Sequence, residues 1–339
     1  MDEARYWKCN KLYWAASMNS DSKEQDLIRE EFIYISGALT QILRCGPWED
    51  LWNDKSAPRL LFLVIPGNPG LAGFYRTFIE TLYCSLNQQY PVWVISHGGH
   101  CKIPDEIKRK EEMVLNDIDD VFGLQGQVEH KLKFLQKYVP KDVKLVLIGH
   151  SAGCYFALKI MKQSPELEIL RSILLFPTIE RMAESPQGKI MTPLLCQLRY
   201  ILYMPIYLAT LLPERVKRFL VCFALNQQTP YDETIVTTSM DMLNMDCIAN
   251  IMYLASQEMR SIVERDNSTV KKHLNKLIFY YGTTDKWCPL QYYEEMKMEF
   301  PEGDIRICEK GIRHSFVLDS SKEMAEMVTG WIQNDLAKL

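Results

Sequence analysis

The sequence has no excess of charge of one sign. Its 339 residues include 39 Lys and Arg against 43 Asp and Glu, which gives a formal net charge of −4. A strongly basic nucleic-acid-binding domain is therefore excluded, and we expect no nucleic acid among the partners. Any affinity for a membrane must come mainly from apolar surface.

Closely spaced cysteine pairs are also absent. The ten cysteines are spread along the chain without a CxxC motif. The sequence therefore predicts neither a zinc site nor a small disulfide framework, and it fits a reducing compartment. We expect no metal and no organic cofactor.

The first residues lack the pattern of a secretory signal, which needs a basic stretch followed by an unbroken apolar one. The chain begins Met-Asp-Glu-Ala-Arg, and polar residues interrupt the segment that follows. We expect residues 1–30 to form an N-terminal extension.

What is present is the pattern of a folded α/β protein. Hydrophobic residues make up 47% of the chain, and short apolar runs alternate with longer amphipathic ones. We predict an α/β fold with a mostly parallel central sheet of about eight strands flanked by helices. The expected strands are a hairpin of residues 32–36 and 39–45, followed by residues 60–65, 92–95, 143–148, 172–176, 277–281 and 305–308. The expected helices are residues 71–89, 127–138, 152–163 and 321–339.

One long region breaks this alternation. The stretch between the strands predicted at 172–176 and 277–281 is longer than a simple crossover needs. We predict that residues 178–276 form a helical cap, inserted into a core made of residues 31–177 and 277–339.

The cap contains an unusually apolar segment at residues 190–212. Of its 23 residues, 17 are hydrophobic, and Arg199 is the only charged one. Pro193 and Pro205 argue against one straight membrane-spanning helix, because proline in a helix interior removes a hydrogen bond. A broken helix or a helical hairpin dipping into one leaflet is one interpretation, and an apolar cap packed over the core is the other.

A candidate nucleophile lies in the sequence Gly149-His150-Ser151-Ala152-Gly153, which matches G-x-S-x-G. The motif follows the strand at 143–148 and precedes the helix at 152–163, which is the setting of a nucleophile elbow. The pattern predicts that Ser151 is the nucleophile. The alternative is a glycine-bounded turn with a capping serine.

A serine nucleophile needs a histidine base and an orienting carboxylate. In the chain order Ser, acid, His, the candidates are Asp285, just past the strand at 277–281, and His314, past the strand at 305–308. Glu180, past the strand at 172–176, is the competing acid.

The tetrahedral intermediate of such a reaction needs backbone donors for its oxyanion. The amide of Ala152, directly after the serine, is the first candidate. The loop Pro66-Gly67-Asn68-Pro69-Gly70 offers the second, and we assign it to Asn68 because proline has no amide hydrogen. This loop lacks the Lys-Ser/Thr pair of a phosphate-binding loop.

The other five histidines are placed by their local sequence. We expect His150 to pack beside the elbow and His130 and His273 to lie at the surface. His97 and His100 follow a strand, so they line the site or belong to a loop without a role in it.

A competing motif runs from His100 to Asp105, with the H-x-x-x-x-D spacing of a class of glycerolipid acyltransferases. Two fixed residues at one spacing arise easily by chance. In addition, Pro104 disfavours helical geometry at the residue before it, and no phosphate site lies nearby in the sequence.

Taken together, these motifs resemble the lipid droplet-associated hydrolase family, a group of α/β-hydrolases. The resemblance covers roughly residues 32–319 and is carried by the sequences IPGNPG at 65–70, LIGHS at 147–151, LFPTIERM at 175–182 and FYYGT at 279–283. It implies the α/β-hydrolase fold and a triad of Ser151, Asp285 and His314.

The resemblance also implies attachment to lipid droplets and the cytosolic face of the endoplasmic reticulum. The implied reaction is hydrolysis of neutral lipid esters, cholesteryl esters above all, in neutral lipid and cholesterol homeostasis. We expect residues 190–212 to contact the droplet monolayer or the reticulum membrane. The second hypothesis is a droplet surface protein with weak or no hydrolase activity that acts in lipid storage or droplet remodelling.

Overall fold

The chain folds around one central sheet of eight strands. The structure, a computed structural model, describes residues 27–46, 59–104, 119–226 and 232–339. The strand order is β1-β2-β4-β3-β5-β6-β7-β8, with β1 and β2 antiparallel and the other six mutually parallel. The predicted sheet is therefore confirmed. The strands are β1 (Ile28–Ile35), β2 (Ala38–Cys45), β3 (Leu60–Ile65), β4 (Val92–Ile95), β5 (Lys144–His150), β6 (Ile169–Leu175), β7 (Leu277–Gly282) and β8 (Asp304–Cys308).

Helices cover both faces of this sheet. Every residue of β3, β4 and β7 is buried, as parallel strands with helices on both sides require. In the described residues the helices are α1 (Arg76–Ser85), α2 (Leu124–Tyr138), α3 (Ala152–Gln163), α4 (Pro186–Cys196), α5 (Arg199–Thr210), α6 (Glu214–Asn226), α7 (Glu233–Met242), α8 (Met245–Ser261), α9 (Asn267–His273), α10 (Leu290–Glu299) and α11 (Ser321–Leu336).

Several predicted boundaries shift by a few residues. The hairpin begins at Ile28 rather than at residue 32. The sequence pattern did not reveal these first strand residues, because the charged Arg29, Glu30 and Glu31 obscure the alternation of apolar and polar positions. The helix expected at 71–89 starts as a short 3-10 turn and ends earlier, because Asn87 and Gln88 adopt positive φ angles that a helix cannot contain.

His130 is the clearest error of the sequence prediction. It was expected at the surface, yet its side chain is fully buried, and its Nε2 lies 2.8 Å from the Thr40 hydroxyl. The adjacent Lys131 is buried too, and its ammonium group donates to the carbonyl oxygen of Ser96. Burial lowers the pKa of both groups. The charged residues around His130 indicated a surface position. Hydrogen bonds to Thr40 in β2 and Ser96 after β4 instead compensate both side chains for the loss of water on burial. His273 is partly exposed.

The segment between β6 and β7 contains the six helices α4 to α9. The apolar stretch at 190–212 is interrupted, as expected, but at Gln197 and Leu198; the two prolines lie inside α4 and α5. No helix in the described ranges is long and apolar enough to cross a membrane. Helix α5 has no fully buried residue, although Leu202, Tyr203 and Ile206 pack partly against the core.

Two glycine substitutions test how tightly α3 is seated on the sheet. A Cβ atom at Gly153 would lie 2.0 Å from the backbone oxygen of Ile65 at the end of β3, whereas one at Gly330 in α11 meets nothing within 4 Å. We expect Gly153→Ala to lower the free energy of unfolding by about 3 kcal/mol, because a backbone contact cannot relax by rotamer change. Gly330→Ala, the control, should raise it by about 0.5 to 1 kcal/mol. Denaturant unfolding measures both, and equal effects would contradict this packing.

Candidate active site

The turn between β5 and α3 presents Ser151 at the edge of the sheet. Ser151 has φ 53° and ψ −122°, a backbone conformation that costs a non-glycine residue about 1 to 3 kcal/mol. Small neighbours make the turn sterically possible: a Cβ atom at Gly149 would lie 2.7 Å from the backbone oxygen of Gly153. The observed geometry is that of a nucleophile elbow.

The structure brings together the three residues predicted for a catalytic triad. The Ser151 Oγ lies 2.9 Å from His314 Nε2, and His314 Nδ1 lies 2.6 Å from Asp285 Oδ2. Asp285 follows the C-terminal end of β7, and His314 follows that of β8. Because β5, β7 and β8 are parallel, their carboxyl ends meet at one edge and place these side chains within hydrogen-bonding distance.

Asp285 is held in its ionised form by its surroundings. Burial alone would raise the pKa of its carboxyl group, but the His314 imidazole and hydrogen bonds outweigh this, so the net pKa is lowered. Asp285 Oδ1 accepts from the Trp287 amide at 2.7 Å, and Oδ2 accepts from the Cys288 thiol at 3.0 Å. Sequence reasoning missed Cys288, although a residue three positions after Asp285 can fold back in a turn and reach its carboxylate.

The cluster of Asp285, Cys288 and His314 has the composition of a metal site, with one ligand atom from each within 4.8 Å of the others. Its atoms are hydrogen bonded to one another, with His314 Nδ1 only 2.6 Å from the carboxylate. A metal ion bound to both His314 Nδ1 and the Asp285 carboxylate would have to displace the proton of the hydrogen bond between them. Hydrogen bonding therefore accounts for the cluster.

Glu180 does not act as the acid partner of His314, and that alternative is wrong. Its Oε1 accepts from Arg265 at 2.8 Å and its Oε2 from Arg181 at 2.7 Å. Both oxygens are thus occupied by guanidinium groups. This ion-pair network ties the chain after β6 to the segment that returns to α9.

His150 packs beside the elbow, as predicted, and is hydrogen bonded at both ring nitrogens. Its Nδ1 lies 2.6 Å from the Tyr75 hydroxyl, and its Nε2 lies 2.8 Å from the backbone oxygen of His314. Burial, together with the neighbouring His314 imidazole, lowers the pKa of His150 to about 3. His150 is therefore neutral over the physiological range. Tyr75 was missed, because nothing in the sequence indicates that a tyrosine ahead of α1 reaches the elbow.

The loop after β3 passes directly over the serine. A Cβ atom at Gly67 would lie 2.6 Å from the Ser151 Cβ, so only glycine fits. The Asn68 side chain donates through Nδ2 to the backbone oxygen of Ile251 in α8, at 3.1 Å. Ala152, directly after Ser151, is buried. The roles of the Asn68 and Ala152 amides as oxyanion donors stay predictions.

His97 and His100 support this loop from behind. His100 Nδ1 donates to the backbone oxygen of Pro69 at 2.7 Å, and the His97 ring fills the space beside Gly70, where a Cβ atom would be 2.3 Å away. The two rings are buried and lie edge to face. Asp105, the partner of His100 in the competing acyltransferase motif, lies outside the described residues.

Glu258 in α8 is a buried carboxyl group beside the same loop. It interacts with the Asn68 side chain, its Oε1 has no hydrogen-bond partner among the described residues, and burial raises its pKa to about 8. Helical periodicity alone gives no signal that this acidic side chain faces inward.

The sequence matches known proteins along most of its length. A family profile described as "Lipid-droplet associated hydrolase" matches residues 58–317. A lipid droplet-associated hydrolase of Gallus gallus is 63% identical over 324 residues, which cover 95% of this chain and 100% of that protein. The Homo sapiens protein of the same name is 49% identical, with 95% and 100% covered.

The chain belongs to the lipid droplet-associated hydrolase family. The resemblance seen in the sequence motifs is therefore confirmed. A more distant relative with this name, from Drosophila melanogaster, is 35% identical and covers 90% of this chain and 98% of its own length. Membership places the chain among hydrolases.

Solved structures of other hydrolases share the fold of this family member. A laboratory-evolved variant of potato epoxide hydrolase superposes with a TM-score of 0.60 at 12% identity, covering 91% of this chain and 99% of that one. The thioesterase domain from the curacin biosynthetic pathway has a TM-score of 0.58 at 14% identity, covering 89% and 99%. These likenesses confirm the predicted α/β-hydrolase fold.

We expect Glu258 to make the stability of the protein depend on pH. The folded state keeps the carboxyl protonated up to about pH 8, whereas the unfolded chain releases the proton near its ordinary pKa of 4.5. Wild-type stability therefore falls as pH rises between these values. Relative to Glu258→Gln, we expect a loss of up to about 1.4 kcal/mol per pH unit.

Urea unfolding of wild type and Glu258→Gln at pH 5.5 and pH 7.5 measures this difference. The glutamine is the matched control because it has the same shape and cannot ionise. A gap between the two proteins that does not widen with pH would contradict the buried, protonated state of Glu258.

Proposed function

We propose that the protein is a serine hydrolase of neutral lipid esters. The hydrogen-bonded chain from Ser151 through His314 to Asp285 carries this proposal. Asp285 accepts the Nδ1 proton of His314, which leaves the Nε2 lone pair facing the Ser151 hydroxyl at 2.9 Å. This is the tautomer that a general base needs.

The reaction follows from this arrangement. Ser151 Oγ attacks the ester carbonyl while His314 Nε2 takes its proton, and His314 then returns the proton to the leaving alcohol. Asp285 stabilises the imidazolium that forms. The amides of Asn68 and Ala152 hold the oxyanion of the tetrahedral intermediate. Water repeats the sequence to release the acid from Ser151.

The proposed substrate is a lipid ester, with cholesteryl ester as the first candidate and a role in neutral lipid and cholesterol homeostasis. Family membership supports a lipid substrate, since the relatives are named for lipid droplets. The nucleophile itself is buried, since Ser151 is 8% exposed. We assign residues 178–276 as a cap that shelters the site from water, supported by the contact of Asn68 with Ile251 in α8.

An exposed apolar surface on α5 and α6 supports docking on the lipid droplet and on the cytosolic face of the endoplasmic reticulum. Its side chains include Tyr200 at 73% exposure, Ile201 at 69% and Phe219 at 67%. Many large apolar side chains exposed along two successive helices are typical of an interaction surface. A phospholipid monolayer over an oil core can accept these side chains without a membrane-spanning helix. The other members of this apolar surface are Met204, Tyr207, Leu208, Leu211, Leu212, Val216, Leu220 and Phe223.

The competing function is a droplet surface protein with slow or no turnover, acting in lipid storage or remodelling. The low exposure of Ser151 favours it, since substrate has to displace part of the cap. Activation of Ser151 decides between the two functions.

A fluorophosphonate probe tests that activation. We expect the purified wild type to be labelled on Ser151. Labelling should be abolished in Ser151→Ala and reduced by at least about 10³-fold in rate in His314→Ala, since removing a triad member leaves only the oxyanion hole and binding. Gel fluorescence with time measures the rates.

His273→Ala is the matched control, because His273 lies in α9 away from the triad and should label like wild type. No labelling of a well-folded wild type would contradict the hydrolase proposal and favour the competing function.

Charged substitutions on the apolar surface test droplet docking. We expect Ile201→Glu with Phe219→Glu to remove the protein from artificial droplets of triolein coated with phosphatidylcholine, because both carboxylates would have to enter the acyl region. Flotation of the droplets measures the bound fraction. Leu202 and Ile206 pack partly against the core, so they are poorer positions for this test.

Met298→Glu is the control for added charge, because Met298 is 80% exposed on α10. Met298→Glu and the double variant should each keep the wild-type free energy of unfolding within about 0.5 kcal/mol, as substitutions at exposed positions usually do. If the double variant floats with the droplets as wild type does, the apolar surface is not the surface that docks on them.

A further inference from the structure

A buried polar pair, Tyr75 and His150, joins three segments that the proposed reaction needs. The Tyr75 hydroxyl accepts from the backbone amide of Gly67, at 3.0 Å, in the loop above Ser151. The same hydroxyl lies 2.6 Å from His150 Nδ1 in the elbow, and His150 Nε2 lies 2.8 Å from the backbone oxygen of His314.

The direction of each hydrogen bond in this chain is determined. The backbone oxygen of His314 can only accept, so His150 Nε2 carries the proton. His150 is neutral, so its Nδ1 is unprotonated and accepts from the Tyr75 hydroxyl. The Tyr75 oxygen is then free to accept from Gly67. The chain therefore runs from the Gly67 amide through Tyr75 and His150 to His314, with every donor matched to an acceptor.

Aromatic packing prevents the pair from taking another arrangement. The His150 ring lies 4.8 Å from the ring of Phe316 and 6.2 Å from that of Phe176, both at steep angles. Tyr75 packs edge to face on Phe316 as well. Both members of the pair are buried, so no water replaces a lost hydrogen bond without rearrangement.

We propose that Tyr75 and His150 are positioning residues. They hold two loops, that of Gly67 and Asn68 and that of His314, at fixed positions relative to Ser151. This inference rests on the proposed serine-hydrolase function. Tyr75 acts on the oxyanion side through Gly67, and His150 acts on the base through the His314 backbone. Neither side chain is required to touch substrate.

Tyr75→Phe separates this role from a purely structural one. The substitution keeps the ring but leaves the Gly67 amide without its acceptor, so the loop can turn that amide elsewhere. We expect kcat for a chromogenic aryl ester to fall about 10- to 100-fold, less than the loss of an oxyanion donor itself, with KM nearly unchanged. Hydrolysis of the matching aryl thionoester should fall much less, because sulfur is a weak hydrogen-bond acceptor.

Tyr281→Phe is the matched control. Tyr281 is also buried in the sheet, but its hydroxyl has no hydrogen-bond partner among the described residues, so this variant should keep wild-type kinetics on both substrates. Active sites are titrated with a fluorophosphonate in every variant, so that a smaller folded fraction does not count as a change in kcat.

The outcomes are distinct. A drop in the ratio of ester to thionoester rates for Tyr75→Phe, but not for Tyr281→Phe, supports the inference. An unchanged ratio in Tyr75→Phe, with an active wild type, overturns the inference and leaves the proposed function intact. A wild type that neither hydrolyses the ester nor reacts with the fluorophosphonate overturns the proposed function and the inference with it.

Discussion

The site depends on one constraint, the close seating of the first turn of α3 against the end of β3. Gly153 approaches the backbone oxygen of Ile65 so closely that no larger residue fits. This contact forces the chain to reverse sharply at Ser151 and keeps the serine in a backbone conformation that it would not adopt alone. Burial of the neighbouring strands, of which β3 is buried along its whole length, offsets that strain.

The parallel sheet then supplies the partners. Loops after β7 and β8 bring Asp285 and His314 to the same edge as Ser151, and the loop after β3 passes over the serine. Two sets of contacts hold these loops. Within the core, hydrogen bonds run from Gly67 through Tyr75 and His150 to His314. From the other side, the Asn68 side chain is hydrogen bonded to Ile251 in α8, one of the helices between β6 and β7.

Much of this could be predicted from the sequence, and the exceptions share a cause. Apolar runs gave the eight strands, and G-x-S-x-G with the order of Asp285 and His314 gave the cluster at the sheet edge, because these signals are local or follow strand order. Tyr75, Cys288 and Glu258 were missed and His130 was misplaced, because tertiary contacts decide which polar side chains are buried. The break at Gln197 was likewise unpredicted, because Pro193 and Pro205 lie at exposed positions inside α4 and α5 and no local signal marks Gln197 as a helix end.

We propose that Ser151 forms a covalent intermediate with its substrate. Mass spectrometry of the protein, quenched in acid during steady-state turnover of an acyl ester, detects this intermediate. We expect the acyl mass on the peptide containing Ser151, and we expect it to disappear as substrate is exhausted. Product formation with no acyl mass on that peptide, or with the acyl group on another residue, would contradict it.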